Sequence, residues 1–512
     1  MLDSPDAFSI LKAAILDFWE KENSPEEWDI GLLTILPKKG DLSNPGNYRG
    51  IVLLETLYKI AAIILHDRLQ PVIESIDHEE QCGFRPLRGC PDGIFTVKMA
   101  IKKRREHGLE TWIMFLDLVK AFDRVPREPL WKVLRKFGVP DKVVRLIEAL
   151  HEKVTFEFTV SGVTHSLNCT IGVKQGDILG PALFTLYIAA IMTTWRSSNK
   201  RPLCLFRTKM DDKLTGRSFT ARGEEFAVPD SEYADDTAVL FPTRHDLEDG
   251  VPKIMSHFAK WGMEVHSGCR ATIPVKESKT EILFVAKPAS LYADPQTFDG
   301  ADLSDISLCD GCFIPIVDCF CYLGSWIARD GKDDLDVEKR IEKAGAAFGA
   351  LRKGVFSCQR VSPHAKKLVY TVLVLTVLLY GSELWCLTEK LLKKLRSFHA
   401  RCIRAMCRVT LLHTRAHRIS TATLMKRLGL ASIDNLITTK ILRWAGHVMR
   451  MKEHRLPRKL ITSWVRNPRP RGCPQFTYGR GLYKALRRKD ISKETWSALA
   501  CERDIWRKMI MC

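Results

Sequence analysis

Two apolar stretches that each meet carboxylates constrain this chain more than anything else in it. "TWIMFLDL" (111–118) sets Asp117 near the end of an apolar run, and "SEYADDTAVLF" (231–241) sets Asp235 and Asp236 just before another. Adjacent carboxylates repel each other and resist desolvation, so an ordinary core strand has no use for them. A lone carboxylate buried in a strand needs a raised pKa or a partner. If the first strand lies beside a hairpin whose turn is Ala234-Asp235-Asp236, three acids converge on one face. Oxygen-only donors of that charge suit a hard cation, and Mg²⁺ keeps water and phosphate oxygens in its remaining positions. Two such ions a few ångströms apart stabilise both the attacking and the leaving oxygen of a phosphoryl transfer.

The surrounding pattern supplies a scaffold. Residues 1–30 read as an amphipathic helical lead-in. "GLLTILPKKGDLSNPGNYRGIVLL" reads as two apolar strands joined by a Lys/Gly/Asn/Pro loop. Helical periodicity covers 55–76 and 90–106, and "REPLWKVLRKFG" is a helix stopped by Gly138 and Pro140. "VTFEFTVSGVTHSLNCT" alternates with period two around Ser-Gly, a hairpin, and a further helix covers 182–195. The stretch 196–230 is polar and irregular and reads as an insertion. "LEDGVPKIMSHFAKWGMEV" is helical, "TEILFV" and "FCYLGSWI" are strands, and from Asp336 the pattern is mainly helical. The order predicts a mixed α+β layer with helices on one face of a sheet. The run "LVYTVLVLTVLLYG" (368–381) is too short to span a bilayer and reads as a buried helix; no membrane partner is expected.

Charge adds a partner. The 512 residues carry a formal net charge of +19, and 391–512 holds 29 Lys and Arg against 6 Asp and Glu. The rest of the chain is almost neutral, so the C-terminal part carries the excess. A polyanion, most commonly nucleic acid, is the natural complement. Sixteen cysteines without framework spacing indicate a reducing, intracellular setting. His399, Cys402, Cys407, His413 and His417 invite a zinc reading, but Phe398, Cys402, Ile403 and Met406 share one helical stripe and favour core packing. "TKMDDKL" (208–214) repeats an acid pair without a following strand and reads as a turn; "LYADPQ" (291–296) reads as a loop. The Arg-, Pro- and aromatic-rich "VRNPRPRGCPQFTYGR" has the composition of an RNA contact or a surface loop.

Seven segments in order resemble the motifs of reverse transcriptases, specifically the non-LTR (LINE-type) retrotransposon kind. "FLDLVKAFDRV", "GVKQGDILGPALFTLYI" and "EYADDTAVLF" are similar to the first three palm motifs. "WGMEVHSGCRATIPVKESKTEILF" and "FCYLGSWI" are similar to the fourth and to the primer grip. "ILPKKGDLSNPGNYRGI" and "EEQCGFRPLRGCPDGI" are similar to the fingers segments. "LTVLLYGSELW" and "RWAGHVMRM" resemble the thumb and C-terminal region of the same elements.

The resemblance implies an α+β right-hand polymerase with a mixed sheet-and-helix palm and a mainly helical C-terminal half. Its expected parts are fingers (31–110), palm (111–290, with an insertion near 196–230), primer-grip region (300–332), helical thumb (335–440) and basic extension (441–512). It implies that Asp117, Asp235 and Asp236 bind Mg²⁺, with Mn²⁺ as an alternative. Lys38 or Lys39, with Arg49 and Arg85, would hold the incoming triphosphate. Phe122 would be the steric gate against a ribose 2′-hydroxyl. Gln175 and Gly176 would lie against the template base pair, and Lys279 would be a general acid toward pyrophosphate. Tyr322, Leu323 and Gly324 would position the primer end. The implied partners are a template RNA, a DNA primer and dNTPs, with no obligate protein partner, in a ribonucleoprotein of cytoplasm and nucleus. Such elements carry an upstream endonuclease domain, which is not expected within this chain. One departure is "QGDILGP" in place of the family's Gln-Gly-Cys-Pro-Leu-Ser-Pro, whose Asp177 is expected to put a negative charge beside the nucleotide and reduce activity. The competing readings are a retired copy that only binds nucleic acid, an intron maturase, which "VKAFD" disfavours, and an RNA replicase, which Phe122 disfavours.

Overall fold

A computed structural model describes residues 5–38, 41–44, 47–76, 79–199, 202–209, 214, 223–272, 275–288, 302–467 and 477–511. Sixteen strands occur among them in chain order. The first five are β1 (Ile30–Pro37), β2 (Tyr48–Leu53), β3 (Thr111–Leu116), β4 (Val154–Val160) and β5 (Val163–Cys169). Then come β6 (Cys204–Arg207), β7 (Glu225–Val228), β8 (Asp230–Tyr233), β9 (Asp236–Phe241), β10 (Gly268–Cys269) and β11 (Glu281–Val285). The last are β12 (Ile306–Ser307), β13 (Cys312–Ile314), β14 (Ile316–Val317), β15 (Cys319–Tyr322) and β16 (Ser325–Ala328).

The central sheet has the order β14-β11-β3-β9-β8. Every residue of β3 is buried, which an apolar run without alternation requires. Ile113 and Phe115 enter one core with Ala238, Leu240 and Leu283. Trp112, Met114 and Leu116 enter a second with Val239, Phe241 and Phe284. The sheet is therefore covered on both faces, not on one as the element order predicted. The helix Cys90–Glu106 belongs to the first core and the helices Leu179–Ser198 and Arg244–Lys260 to the second. The helix Cys90–Glu106 has Pro91 in its first turn, where no amide is needed, and Lys103, Arg104 and Arg105 in its last, where they meet the negative end of the dipole.

A second sheet, β2-β1-β4-β5, pairs the two expected N-terminal strands with the Ser-Gly hairpin, β1 running parallel to β4. Three further expectations need correction. The 196–230 stretch contains a hairpin, β6–β7, since "CLFR" and "EFAV" each bury alternate side chains. "FCYLGSWI" is not one strand but the hairpin β15–β16, turned by Leu323 and Gly324 at φ of 46° and 80°. The 368–381 run loosens into π-type turns at Tyr370–Leu375 and buries only one side: Leu368, Val372 and Leu373 are exposed. Among the described residues no helix is long and apolar enough to cross a membrane.

Residues 441–467 and 477–511 do not trail from the body. Trp444 and Tyr478 both pack edge-on against Phe95, at 5.4 and 5.5 Å between ring centres. Arg455 pairs with Glu79 at 2.6 Å and Asp92 at 2.9 Å. One apolar core runs from the central sheet through the helices after Asp334 to Ile510.

Candidate active site

The β3–β9 ladder pairs Leu116 with Thr237, so one further step faces Asp117 toward Asp236. The β8–β9 hairpin closes at Tyr233 and Asp236, leaving Ala234 and Asp235 in the turn. Three acids thus gather at one end of the central sheet, and they act on one another. Desolvation and then the Asp117 charge, partly offset by Arg49, keep the Asp235 carboxyl above its ordinary range. The Asp236 carboxyl is pushed up to about 6 by partial desolvation, then by Asp235 and Asp117, although the residue as a whole is exposed. Burial raises Asp117, and Lys279 and Lys38 draw it back. Among the described residues no group of three or more His, Cys, Asp or Glu is arranged to hold a metal ion, so the acids are neighbours without being a closed ligand set. Their chemistry still fits a divalent cation: three hard oxygen donors repel one another and, among the described residues, have no contacting ammonium or guanidinium.

The residues expected to hold the triphosphate surround this cluster unevenly. Arg49, exposed on β2, acts on Asp235. Lys38, exposed at the end of β1, acts on Asp117 and Asp123. Lys39 lies outside the described residues. Arg85 is half-buried beside Gln81, Thr185 and Leu186, where burial and then Arg88 lower its pKa.

Phe122 stacks on Phe184 with ring centres 4.5 Å apart and planes 17° from parallel. It is half-buried, a ring braced by the core with part of its surface outside. Gln175 accepts the Val52 amide through its carbonyl at 2.8 Å, tying the "GVKQGDILGP" segment to β2. Gly176 has φ of 110°, and an added Cβ would meet the Val52 carbonyl at 2.6 Å, so glycine alone fits. The expectation for Asp177 is corrected. Its side chain is buried, accepts the Tyr58 hydroxyl at 2.7 Å, and faces the interior with Lys174. Lys174 stacks on the Tyr58 ring at 4.3 Å, and burial lowers its pKa to about 8.

Lys279 is exposed and acts on Asp117 while its amide donates to His266 Nδ1 at 3.2 Å. Tyr322 is buried, and its hydroxyl donates to the Ser231 carbonyl at 2.9 Å, so it fastens the β15–β16 turn to β8 instead of facing outward. The Leu323 carbonyl accepts Tyr380 at 2.8 Å, and that of Gly324 accepts Arg340.

Sequence reasoning missed the residues that hold the acids. Gln81, 1% exposed, accepts the amides of Ala234 at 2.9 Å and Gly83 at 2.8 Å through one oxygen. Ala234 sits at φ of 57°, strained for a residue with a Cβ, and this clamp holds it there. Arg196 braces the strand beneath through Asp230 at 2.6 Å and Glu232 at 2.9 Å. Buried Thr280 accepts the Asp117 amide at 3.1 Å, and the His266 amide donates to the Asp117 carbonyl at 2.8 Å. The only sequence signal was "EEQCGFRP", in which a glutamine is as compatible with a surface as with a clamp. His399 and Cys402 are core, His399 bonded to Tyr370 at 2.9 Å. "LYADPQ" and most of "TKMDDKL" lie outside the described residues.

A family model described as "Reverse transcriptase (RNA-dependent DNA polymerase)" matches residues 36–268. A 245-residue stretch is 29% identical to the Transposon TX1 uncharacterized 149 kDa protein of Xenopus laevis, covering 48% of this chain and 17% of that one. A 176-residue stretch is 29% identical to the retrovirus-related Pol polyprotein from type-1 retrotransposable element R2 of Popillia japonica, covering 34% and 24%. The chain spans no more than 24% of the length of these two relatives. Apo telomerase from Candida Tropicalis covers 99% of this chain and 74% of its own at 12% identity and a TM-score of 0.42, a likeness too loose to carry an argument. The matched residues include β2, the β4–β5 hairpin and the β3, β8 and β9 strands of the central sheet; the helices from Asp334 lie beyond them. Residues 36–268 match the reverse transcriptase family, and both of these relatives are named as proteins of transposable elements.

Proposed function

We propose that the chain is an RNA-directed DNA polymerase that extends a DNA primer on an RNA template. The observation that carries this reading is the meeting of Asp117, Asp235 and Asp236 at one end of the palm sheet, each with a raised pKa. In the reaction the primer 3′-hydroxyl oxygen bonds to the α-phosphorus of a dNTP, the bond to pyrophosphate breaks, and the hydroxyl proton leaves to solvent. Divalent cations at the three acids, when bound, neutralise the phosphates and favour the ionised 3′-oxygen.

The chain's own residues account for the rest. Arg49 and Lys38 place positive charge beside the acids, where a triphosphate would lie. Lys279, whose charge acts on Asp117, would return a proton to pyrophosphate. Phe122 offers a wall and no hydrogen bond where a 2′-hydroxyl would sit, which penalises an NTP. Gly176 lets the second motif lie close to β2 and to a template base pair. Such a polymerase would act inside the cell, bound to its RNA. Extension of a DNA primer on an RNA template tests the reading, with NTPs replacing dNTPs in a parallel arm. Synthesis that needs dNTPs and Mg²⁺ and disappears in Asp235→Asn is the expected result. RNA binding without synthesis by the unaltered chain sinks it in favour of a retired copy.

A further inference from the structure

A second candidate binding site lies far along the chain from the acids. A cavity of about 640 Å³ opens between the helices Ile433–Met449 and Arg503–Met511. Its rim carries Arg443, Arg503 and Arg507, all exposed, whose side chains make no ion pair or hydrogen bond with any described residue. The sole acid in the lining, Glu383, already faces Lys440 at 3.5 Å. Burial and then the Arg503 charge hold the Arg450 guanidinium below its usual range, as expected where positive charge lacks a counterion. Trp444, 7% exposed, lines the same cavity, and its buried indole Nε1 has no acceptor among the described residues.

The cavity is built, not incidental. Gly446 lets the Trp506 indole lie on its helix, where a Cβ would come within 2.2 Å of Nε1; that nitrogen donates to the Leu442 carbonyl at 2.9 Å. Arg450 holds the Ala500 carbonyl at 2.5 Å, pinning the segment that leads into the last helix. A lining of donors with its one acid engaged calls for an acceptor-rich anion. A duplex cannot enter a cavity of this size, whereas one nucleotide of a flexible strand can.

We propose that this cavity grips the backbone of single-stranded RNA, one phosphate at the Arg443–Arg503–Arg507 rim, as an anchoring point separate from the polymerase acids. The choice of RNA over an acidic protein rests on the polymerase reading above; the donor-lined cavity does not. The test is binding of a labelled single-stranded RNA to the full chain across a salt series, comparing the unaltered protein with Arg503→Ala/Arg507→Ala. A charge-matched control, Arg487→Ala/Lys493→Ala, removes two exposed cations outside the cavity. The rim variant is expected to lose roughly tenfold in affinity and about 0.7 from the slope of log K against log salt, the share of the one phosphate held at the rim of a single strand. Arg503→Lys/Arg507→Lys should restore most of that slope, which a merely misfolded variant would not. Equal losses in rim and control variants, or no loss in either, overturn the proposal, as does displacement of RNA by poly-glutamate at the same charge concentration. An unaltered chain that binds RNA through the rim yet extends no primer leaves the anchor standing and removes only the polymerase.

Discussion

Two acidic clusters in this chain are treated in opposite ways. Asp333 and Asp336 are buried, and burial alone would raise both. Instead Lys102 at 2.7 Å and Lys98 at 3.1 Å hold Asp333 below the usual carboxylate range, with the Cys386 amide at 2.7 Å. Asp336 receives Lys98 at 3.0 Å, Ser325 at 2.7 Å and the Trp385 indole at 2.8 Å, and is lowered too. Asp117, Asp235 and Asp236 receive no contacting ammonium or guanidinium from any described residue and are raised. The first cluster joins the helix Cys90–Glu106 to the first turn of the helix Asp334–Leu351 and is complete within the protein. The second is costly as it stands and is relieved only by something brought to it. That difference separates a structural group of carboxylates from a working one more sharply than their sequence context does.

Four experiments would break or sharpen the contrast. Asp235→Asn should lower primer extension by on the order of 10³-fold, several kcal/mol at about 1.4 kcal/mol per tenfold, while urea denaturation shows no loss of stability. Lys98→Met should do the reverse, destabilising by about 3–5 kcal/mol because it removes the ammonium that two buried carboxylates share, as urea midpoints would show. Equal stability of Lys98→Met and the unaltered chain would end the structural reading of that cluster. Gln81→Ala removes the acceptor of the Ala234 and Gly83 amides and should cost about 1–3 kcal/mol of stability. Its turnover should fall with dNTP KM nearly unchanged if the clamp positions the acids.

The smallest effect concerns pH. An Asp236 carboxyl raised to about 6 binds its proton more tightly folded than unfolded, so its contribution to stability is present below the unfolded value near 3.8 and is lost as pH rises through 6. In chelator, Asp236→Asn should therefore melt slightly above the unaltered chain at pH 8, and the gap should close by pH 4. Addition of Mg²⁺ at pH 8 should raise the melting temperature of the unaltered chain more than that of the variant. A variant that melts lower at pH 8 in chelator contradicts the account of an uncompensated cluster.

The sequence alone determined a good deal. Apolar continuity made 111–116 legible as a strand, though not as one covered on both faces, and the helices near 56–75 and 90–106 followed from their periodicity to within a residue or so. The acids at 117, 235 and 236 were legible because two adjacent carboxylates before an apolar run have few structural uses. Only the tertiary structure decided which acids are satisfied, since Asp177 reads as a charge near the nucleotide until Tyr58, 119 residues away, is seen to bond it. The same holds for Gln81, whose partner Ala234 is 153 positions distant, and for the C-terminal cavity, which needs Gly446 and Trp506 side by side. Local propensity and pattern act over a few residues, and a strand or helix shows itself within that range. A buried polar group is paired by whatever the fold brings within 3 Å, and distance along the chain carries almost no information about that.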